Sequence, residues 1–115
     1  MLIRSQDKRM IVNFDNICTV SAFPEKDSDD IYVEDGTGSL MVGRYSTKEK
    51  AMKVLDMIQE AYADAELIPM TAPNIGKMFQ EAPASKENEL LAEAIGEVLM
   101  NKMVFQMPED SEVEV

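Results

Sequence analysis

The chain has 115 residues, a length that predicts one domain able to bury a core without a disulfide or a metal. Its 22 acidic and 11 basic residues give a formal net charge of −11, which argues against direct binding to nucleic-acid phosphates or anionic membranes. There is no histidine, which excludes Ser-His and Cys-His nucleophile pairs and the commonest metal ligand.

A single cysteine, Cys18, cannot form an internal disulfide, and the sequence shows neither a signal-peptide pattern nor a long apolar run. These features predict a cytoplasmic protein. Cys18 falls in a predicted strand without an adjacent base, so we expect a buried, unreactive thiol.

The first 45 residues have the composition of β-strands. Residues 1–4 and 10–14 are short β-type runs joined by a polar turn, which predicts an opening hairpin. Residues 16–23 alternate without a clearly polar side, which predicts a strand buried on both faces and ended by Pro24. Residues 25–30 follow as a charged turn.

A second hairpin is predicted around Asp35-Gly-Thr-Gly38, between runs 31–35 and 39–45. Its two glycines resemble part of a phosphate loop. Because neither a helix N-terminus nor a lysine follows them, the hairpin turn is the favoured interpretation.

The segment 45–62 predicts an amphipathic helix. Ser46 and Glu49 have the spacing of a capping box, and the helix is expected from Thr47 to about Asp64. Apolar residues recur at three- and four-residue spacing and predict the buried face: Ala51, Val54, Leu55, Ile58, Ala61 and Tyr62.

The rest of the chain predicts a helical insertion. Prolines at 69, 73 and 83 predict a loop over 70–84 with a short helical turn at 75–79. Ser85 is the expected cap of a second helix over 86–102, with an apolar stripe of Leu91, Ile95, Val98 and Leu99. Residues 103–107 predict a last strand, and 108–115 a mobile acidic tail.

These elements predict a single α+β domain over 1–115. It would contain an antiparallel sheet of about five strands with one capped helix packed on it, a helical insertion and a short final strand. Residues 1–64 form the strand-rich core in this interpretation, 65–102 the elaboration, 103–107 the final strand and 108–115 the tail.

Three runs together resemble a group of small uncharacterised proteins in prophages and mobile elements of Gram-positive bacteria: Met1-Leu-Ile-Arg-Ser-Gln-Asp-Lys8, the helix sequence from Tyr45 to Ile58, and Val104-Phe-Gln-Met-Pro-Glu-Asp110. In those proteins the helix runs almost directly into the last strand, whereas about forty residues intervene here. The resemblance implies a phage or mobile-element setting and a strand-rich α+β core, and no activity.

Six carboxylates fall within eleven residues: Glu25, Asp27, Asp29, Asp30, Glu34 and Asp35. Clustered oxygens suit calcium, but the EF-hand spacing fails because Ile31 occupies the fifth loop position. A solvated loop and a surface for a basic partner, imitating a row of DNA phosphates, are the remaining interpretations.

An alternative site combines arginine and tyrosine side chains from neighbouring strands: Arg4, Arg9, Tyr32, Arg44 and Tyr45. These groups would suit an anionic ligand such as a nucleotide, although nothing in their spacing requires one.

The chain contains ten methionines, which either fill an irregular core or line an adaptable surface. The second helix needs more cover than one small sheet provides, so a homodimer could use part of this surface.

The leading functional hypothesis is a non-enzymatic phage or mobile-element protein that binds a partner stoichiometrically. It would inhibit a host or defence protein, in the manner of an anti-CRISPR protein. The expected partner is a basic protein surface, such as that of a nucleic-acid-binding protein, with no cofactor and no metal. A protein that sequesters a small ligand or signalling nucleotide is the alternative. An enzyme is the third and least favoured hypothesis, because the sequence lacks histidine, the usual general base.

Overall fold

The computed structural model describes the backbone of residues 1–115 and every side chain except those of 68–72, 75–76 and 79. The strands are β1 (Leu2–Arg4), β2 (Ile11–Asn13), β3 (Thr19–Pro24), β4 (Asp29–Glu34), β5 (Ser39–Tyr45) and β6 (Val104–Gln106). The helices are α1 (Lys48–Glu81) and α2 (Lys86–Lys102), with 3-10 turns at Phe14–Asn16 and Asp110–Glu112.

The α+β class is confirmed, but the expected single sheet is wrong. The six strands form two three-stranded sheets, in the orders β2-β1-β6 and β3-β4-β5. Both predicted hairpins are present as antiparallel pairs, β1 with β2 and β4 with β5. The final strand β6 is also present, and it pairs parallel to β1.

The core lies between the inner face of the β3-β4-β5 sheet, the first turns of α1 and the C-terminal segment. Its buried residues are Ile3, Ile31, Val33, Val42, Tyr45, Ala51, Val54, Ile58, Met107 and Val113. The predicted buried face of α1 is confirmed at Ala51, Val54 and Ile58, while Leu55 packs at its border.

The predicted capping box of Ser46 and Glu49 is wrong, and the N-cap lies one residue further along the chain. Thr47 is the N-cap of α1, and its hydroxyl accepts a hydrogen bond from the Lys50 amide at 3.2 Å. Ser46 is engaged elsewhere, because its amide donates to the Asp110 carboxylate at 2.7 Å. A contact across 64 residues of sequence therefore decides where the helix begins.

The first helix is also longer than expected. It continues past Asp64 to Glu81, through the segment in which two prolines predicted a loop, and so includes the expected turn at 75–79. The second helix has the predicted cap, with the Ser85 hydroxyl accepting from the Asn88 amide. Packing of α2 alongside α1 supports the long helix where local propensity does not.

The strand expected over 16–23 begins only at Thr19, and β3 is an edge strand rather than a central one. Cys18 precedes it and is exposed, so the prediction of a buried thiol is wrong. Alternation alone predicts burial on both faces, but the core packs against only one face of β3, at Val20 and Ala22.

The C-terminal segment packs against the core instead of forming a mobile tail. Met107 and Val113 are buried, and the Pro108 carbonyl accepts hydrogen bonds from the Tyr45 hydroxyl and from Nε2 of the Gln6 side chain. Lys50 forms an ion pair with Asp110 at 3.3 Å.

The distal half of α1 and all of α2 form a helical hairpin that gives the chain a long axis of 60 Å. The radius of gyration is 17.5 Å, against about 13 Å for a compact chain of this length. None of the described helices is long and apolar enough to cross a lipid bilayer.

Candidate functional site: the outer face of the β3-β4-β5 sheet

One side of the β3-β4-β5 sheet covers the core, and on its other side every side chain except Asp30 is exposed or half-buried. Cross-strand partners share a face, so the strand register assigns nine residues to the open side. We call this surface the outer face; its three rows are Thr19, Glu34 and Ser39; Ser21, Tyr32 and Met41; and Phe23, Asp30 and Arg44.

An aromatic and thioether cluster occupies the middle of the outer face. The rings of Phe23 and Tyr32 pack edge to face, with centroids 6.0 Å apart and planes at 76°. Phe23 is 51% exposed, and Met41, the register partner of Tyr32, is 41% exposed. Large apolar side chains on a polar sheet face are typical of a recognition surface.

An ion pair lies beside this cluster. The Arg44 guanidinium donates from Nε and Nη2 to the two carboxylate oxygens of Asp30, each at 3.1 Å. Burial alone would raise the pKa of the Asp30 carboxyl, but hydrogen bonds from Arg44 and Ser28 and the arginine charge hold it below its ordinary value. The pair fixes the guanidinium next to Met41, whose sulfur is 3.8 Å from Arg44 Nη2.

The structure divides the six predicted acidic residues between the two ends of β4. Glu25, Asp27, Asp29 and Asp30 lie at one end, and Glu34 and Asp35 lie about 17 Å away at the other. The set therefore forms two groups.

The predicted acidic turn is shorter than 25–30, since Asp29 and Asp30 belong to β4. The Asp30 side chain is only 1% exposed, so it is part of the structure rather than of a free acidic surface. Glu25 and Asp27 are exposed. Glu25 accepts a long hydrogen bond from the Tyr32 hydroxyl, at 3.5 Å.

The second acidic group serves the hairpin turn. The Asp35 carboxylate accepts from the Thr37 amide and hydroxyl and from the Gly38 amide. These hydrogen bonds lower the pKa of Asp35. Gly36 has a φ of +93°, which confirms the turn predicted from its glycines.

Of the alternative set of arginines and tyrosines, only Tyr32 and Arg44 come together, on the outer face. Arg4 and Arg9 belong to the hairpin of the other sheet, and the Arg4 guanidinium donates to the Lys8 carbonyl. Tyr45 is buried, and burial followed by the charge of Asp110 raises the pKa of its hydroxyl far above the ordinary value. Tyr45 is therefore a core residue.

Sequence reasoning missed Phe23 and Met41. A usable signal was present for Phe23, since it shares its side of the predicted strand with the polar residues Thr19 and Ser21. An aromatic residue on a polar row is exposed unless another layer covers it. Met41 gave no such signal, because a bulge in the pairing at Ile31/Tyr32 sets its side of β5.

A cleft of about 400 Å³ lies elsewhere, between β3 and α1. Its lining residues are Phe14, Asp15, Ile17, Cys18, Thr19, Val20 and Tyr62. The volume is within the range of small-ligand sites, but the charged side chain in this lining is the Asp15 carboxylate, which repels an anion. None of the five predicted ligand-binding residues lies in this cleft.

Within the described side chains, no group of three or more cysteine, aspartate or glutamate residues is placed to hold a metal ion. In the same part of the chain, every buried side-chain nitrogen and oxygen has a hydrogen-bond partner.

The sequence was compared with protein-family models and with curated proteins, and the structure with solved structures. None of the three comparisons found a match.

Proposed function

We propose that the protein is a non-enzymatic binding protein that holds a basic protein partner in a stoichiometric complex through the outer face. The observation that carries this proposal is the exposed edge-to-face pair of Phe23 and Tyr32, with Met41 beside it, on the open side of a sheet. Aromatic residues, methionine and arginine are the residue types enriched in the cores of protein interfaces.

The charge around this cluster supports a basic partner. Glu25 and Asp27 are exposed at the turn that adjoins Phe23, and the chain as a whole carries −11. Charges at the rim of an interface mainly raise the rate of encounter, while the desolvated centre supplies most of the affinity. A nucleic-acid-binding protein has the matching basic surface.

The resemblance to prophage proteins adds a biological setting to the proposal. In that setting the partner would be a host or defence protein, and the complex would inhibit it by covering a basic surface, as an anti-CRISPR protein does. Stoichiometric inhibition needs a stable interface and no reactive group.

Sequestering of a small anion receives less support from the geometry. Arg44 is the cation of the outer face, and its charge is compensated by Asp30 at 3.1 Å. An anionic ligand would have to compete with that carboxylate for the same guanidinium.

Affinity capture with a matched control tests the proposal. Wild type, Phe23→Ala and Ile11→Ala would be immobilised and exposed to a lysate of a Gram-positive host at physiological salt. Phe23 is 51% exposed and Ile11, on the other sheet, is 60% exposed, so the two variants remove similar apolar surfaces.

We expect one basic protein to be retained by wild type and by Ile11→Ala and lost from Phe23→Ala, as read by mass spectrometry. Equal retention by all three proteins would contradict the proposal. So would retention that disappears completely when the salt is raised, because purely electrostatic capture does not use the aromatic cluster.

A further inference from the structure

The second helix carries more apolar surface than the chain covers. None of its residues is buried, and Leu91 and Val98 are 53% and 55% exposed. With Ala94, Ile95 and Leu99, Val98 lines an apolar groove of about 220 Å³. A helix with an open apolar stripe is normally covered by another helix.

The exposed stripe lies on one flat side of the α1–α2 hairpin. At 3.6 residues per turn, Leu91, Ala94, Ile95 and Val98 project in neighbouring directions. Ala92, Ile95 and Leu99 are half-buried, so Ile95 stands at the edge of the exposed stripe and Ala92 and Leu99 lie beyond that edge. The carboxylates of the helix middle are on the opposite side of α2, at Glu89, Glu93 and Glu97.

The ends of this flat side carry opposite charges. Glu87, in the first turn of α2, and Lys102, in its last turn, project in the same direction as the apolar stripe. We call the six residues the self-pairing face: Glu87, Leu91, Ala94, Ile95, Val98 and Lys102.

We propose that the self-pairing face binds a second copy of this chain, with the two α2 helices antiparallel about a two-fold axis between Ala94 and Ile95. This axis places Leu91 opposite Val98 of the second copy. It also places Glu87 opposite Lys102 of the second copy, once at each end.

Charge complementarity selects the antiparallel orientation. A parallel pair would put Glu87 against Glu87 and Lys102 against Lys102, whereas the antiparallel pair gives two ion pairs. Lys102 already donates to Asp64 of its own chain at 3.3 Å and is 46% exposed, so its ammonium has donors left for a second carboxylate.

The surface suits a weak, reversible dimer. The 17-residue α2 is about 25 Å long and about 10 Å wide, which gives roughly 250 Å² on each copy. The total of about 500 Å² is in the range of weak, transient interfaces. The dimer should therefore exchange with monomer as concentration changes.

Sedimentation equilibrium over a concentration series tests the proposal with two matched variants. Val98→Glu places a charge in the self-pairing face, and Met100→Glu makes the same change on the opposite side of α2, where Met100 is 67% exposed. We expect wild type and Met100→Glu to dimerise and Val98→Glu to stay monomeric, with unchanged helix content by circular dichroism. A monomeric wild type, or a dimeric Val98→Glu, would overturn the proposal.

A charge swap tests the orientation. Glu87→Lys and Lys102→Glu should each weaken the dimer, and the double variant should recover most of the loss, with a change of about tenfold in Kd for each single variant. The two positions are about 22 Å apart on one helix, so recovery cannot arise within a chain. A double variant as weak as the single variants would overturn the antiparallel arrangement. The outer face is not part of this surface, so failure here leaves the proposed function standing.

Discussion

Asp30 lies on the outer face but is buried, whereas Arg44, its ion-pair partner, is exposed. The Asp30 side chain is 1% exposed, whereas that of Arg44 is 62% exposed. The Ser28 hydroxyl donates to the same carboxylate at 2.8 Å. The cost of breaking this pair therefore depends on which member is removed, because a buried charge without its partner is expensive.

Replacing Asp30 with asparagine should lower the free energy of unfolding by about 1.5–3 kcal/mol at neutral pH, since charge-assisted hydrogen bonds are lost at a buried site. Urea titration measures this change. Asp27→Asn is the matched control, because Asp27 lies exposed in the neighbouring turn and should cost almost nothing. If both variants lost the same free energy of unfolding, the buried ion pair of Asp30 would not contribute to stability as described.

The same ion pair predicts a pH dependence of stability. The pKa of Asp30 is lower in the folded protein than in the unfolded chain. Its contribution is therefore complete above about pH 4 and is lost as the pH falls through the folded-state pKa. The difference in stability between wild type and Asp30→Asn should shrink between pH 5 and pH 2, approximately, and a difference independent of pH would contradict the assignment.

Two glycines predict opposite effects of the same substitution. A Cβ on Gly43 would lie 3.0 Å from both the Met107 methyl and the Tyr45 ring, in the buried core. A Cβ on Gly96, inside α2, would meet open space. Thermal unfolding should show Gly43→Ala destabilised by about 1–3 kcal/mol and Gly96→Ala stabilised by about 0.5–1 kcal/mol. If Gly43→Ala left the stability unchanged, the Tyr45 ring and the Met107 methyl would have to move away from the added Cβ at little cost, which would contradict tight packing at this position.

At the scale of elements, the C-terminal segment closes the core. Deleting residues 108–115 removes the acceptor of the buried Tyr45 hydroxyl, the partner of Lys50 and the buried Val113. The lost burial and hydrogen bonding amount to about 3 kcal/mol, so the melting temperature should fall by on the order of 10 °C. An unchanged melting temperature would show that residues 108–115 do not stabilise the core and would support the mobile tail that the sequence alone predicts.

The elements that the sequence predicts well are those set by neighbouring residues. The hairpin at Asp35–Gly38, the cap at Ser85 and the buried face of α1 all follow from local spacing, and the structure confirms each. The elements that differ depend on distant contacts. Asp110 accepts a hydrogen bond from the Ser46 amide, and α1 begins at Lys48 with Thr47 as its N-cap. The final strand β6 joins β1 in parallel, and the six strands are divided between two sheets.

In the candidate site, too, residue types are predicted from the sequence, whereas their arrangement depends on contacts between distant residues. Tyr32 and Arg44 are predicted from residue type, but strand register and not sequence spacing brings them onto one face with Phe23. The predicted acidic set separates because its members lie at both ends of β4. Its most buried member, Asp30, pairs with an arginine of the alternative set.

At the scale of the whole molecule, the acidic turn should act on the rate of encounter with a basic partner. Glu25→Lys combined with Asp27→Lys should leave the melting temperature unchanged, because both side chains are exposed. The association rate constant should fall several-fold at low salt and approach that of wild type at high salt. Surface plasmon resonance with the captured partner measures both quantities. An association rate unaffected by the double change would make this turn a solubilising feature only.

The central claim is that the outer face holds a protein partner in a stoichiometric complex, and titration calorimetry with the captured partner tests it most directly. We predict one partner bound per chain by wild type and by Ile11→Ala, and a Kd weakened at least about tenfold for Phe23→Ala. Unchanged affinity and stoichiometry for Phe23→Ala, with wild-type stability, would contradict the assignment of the partner site to the outer face.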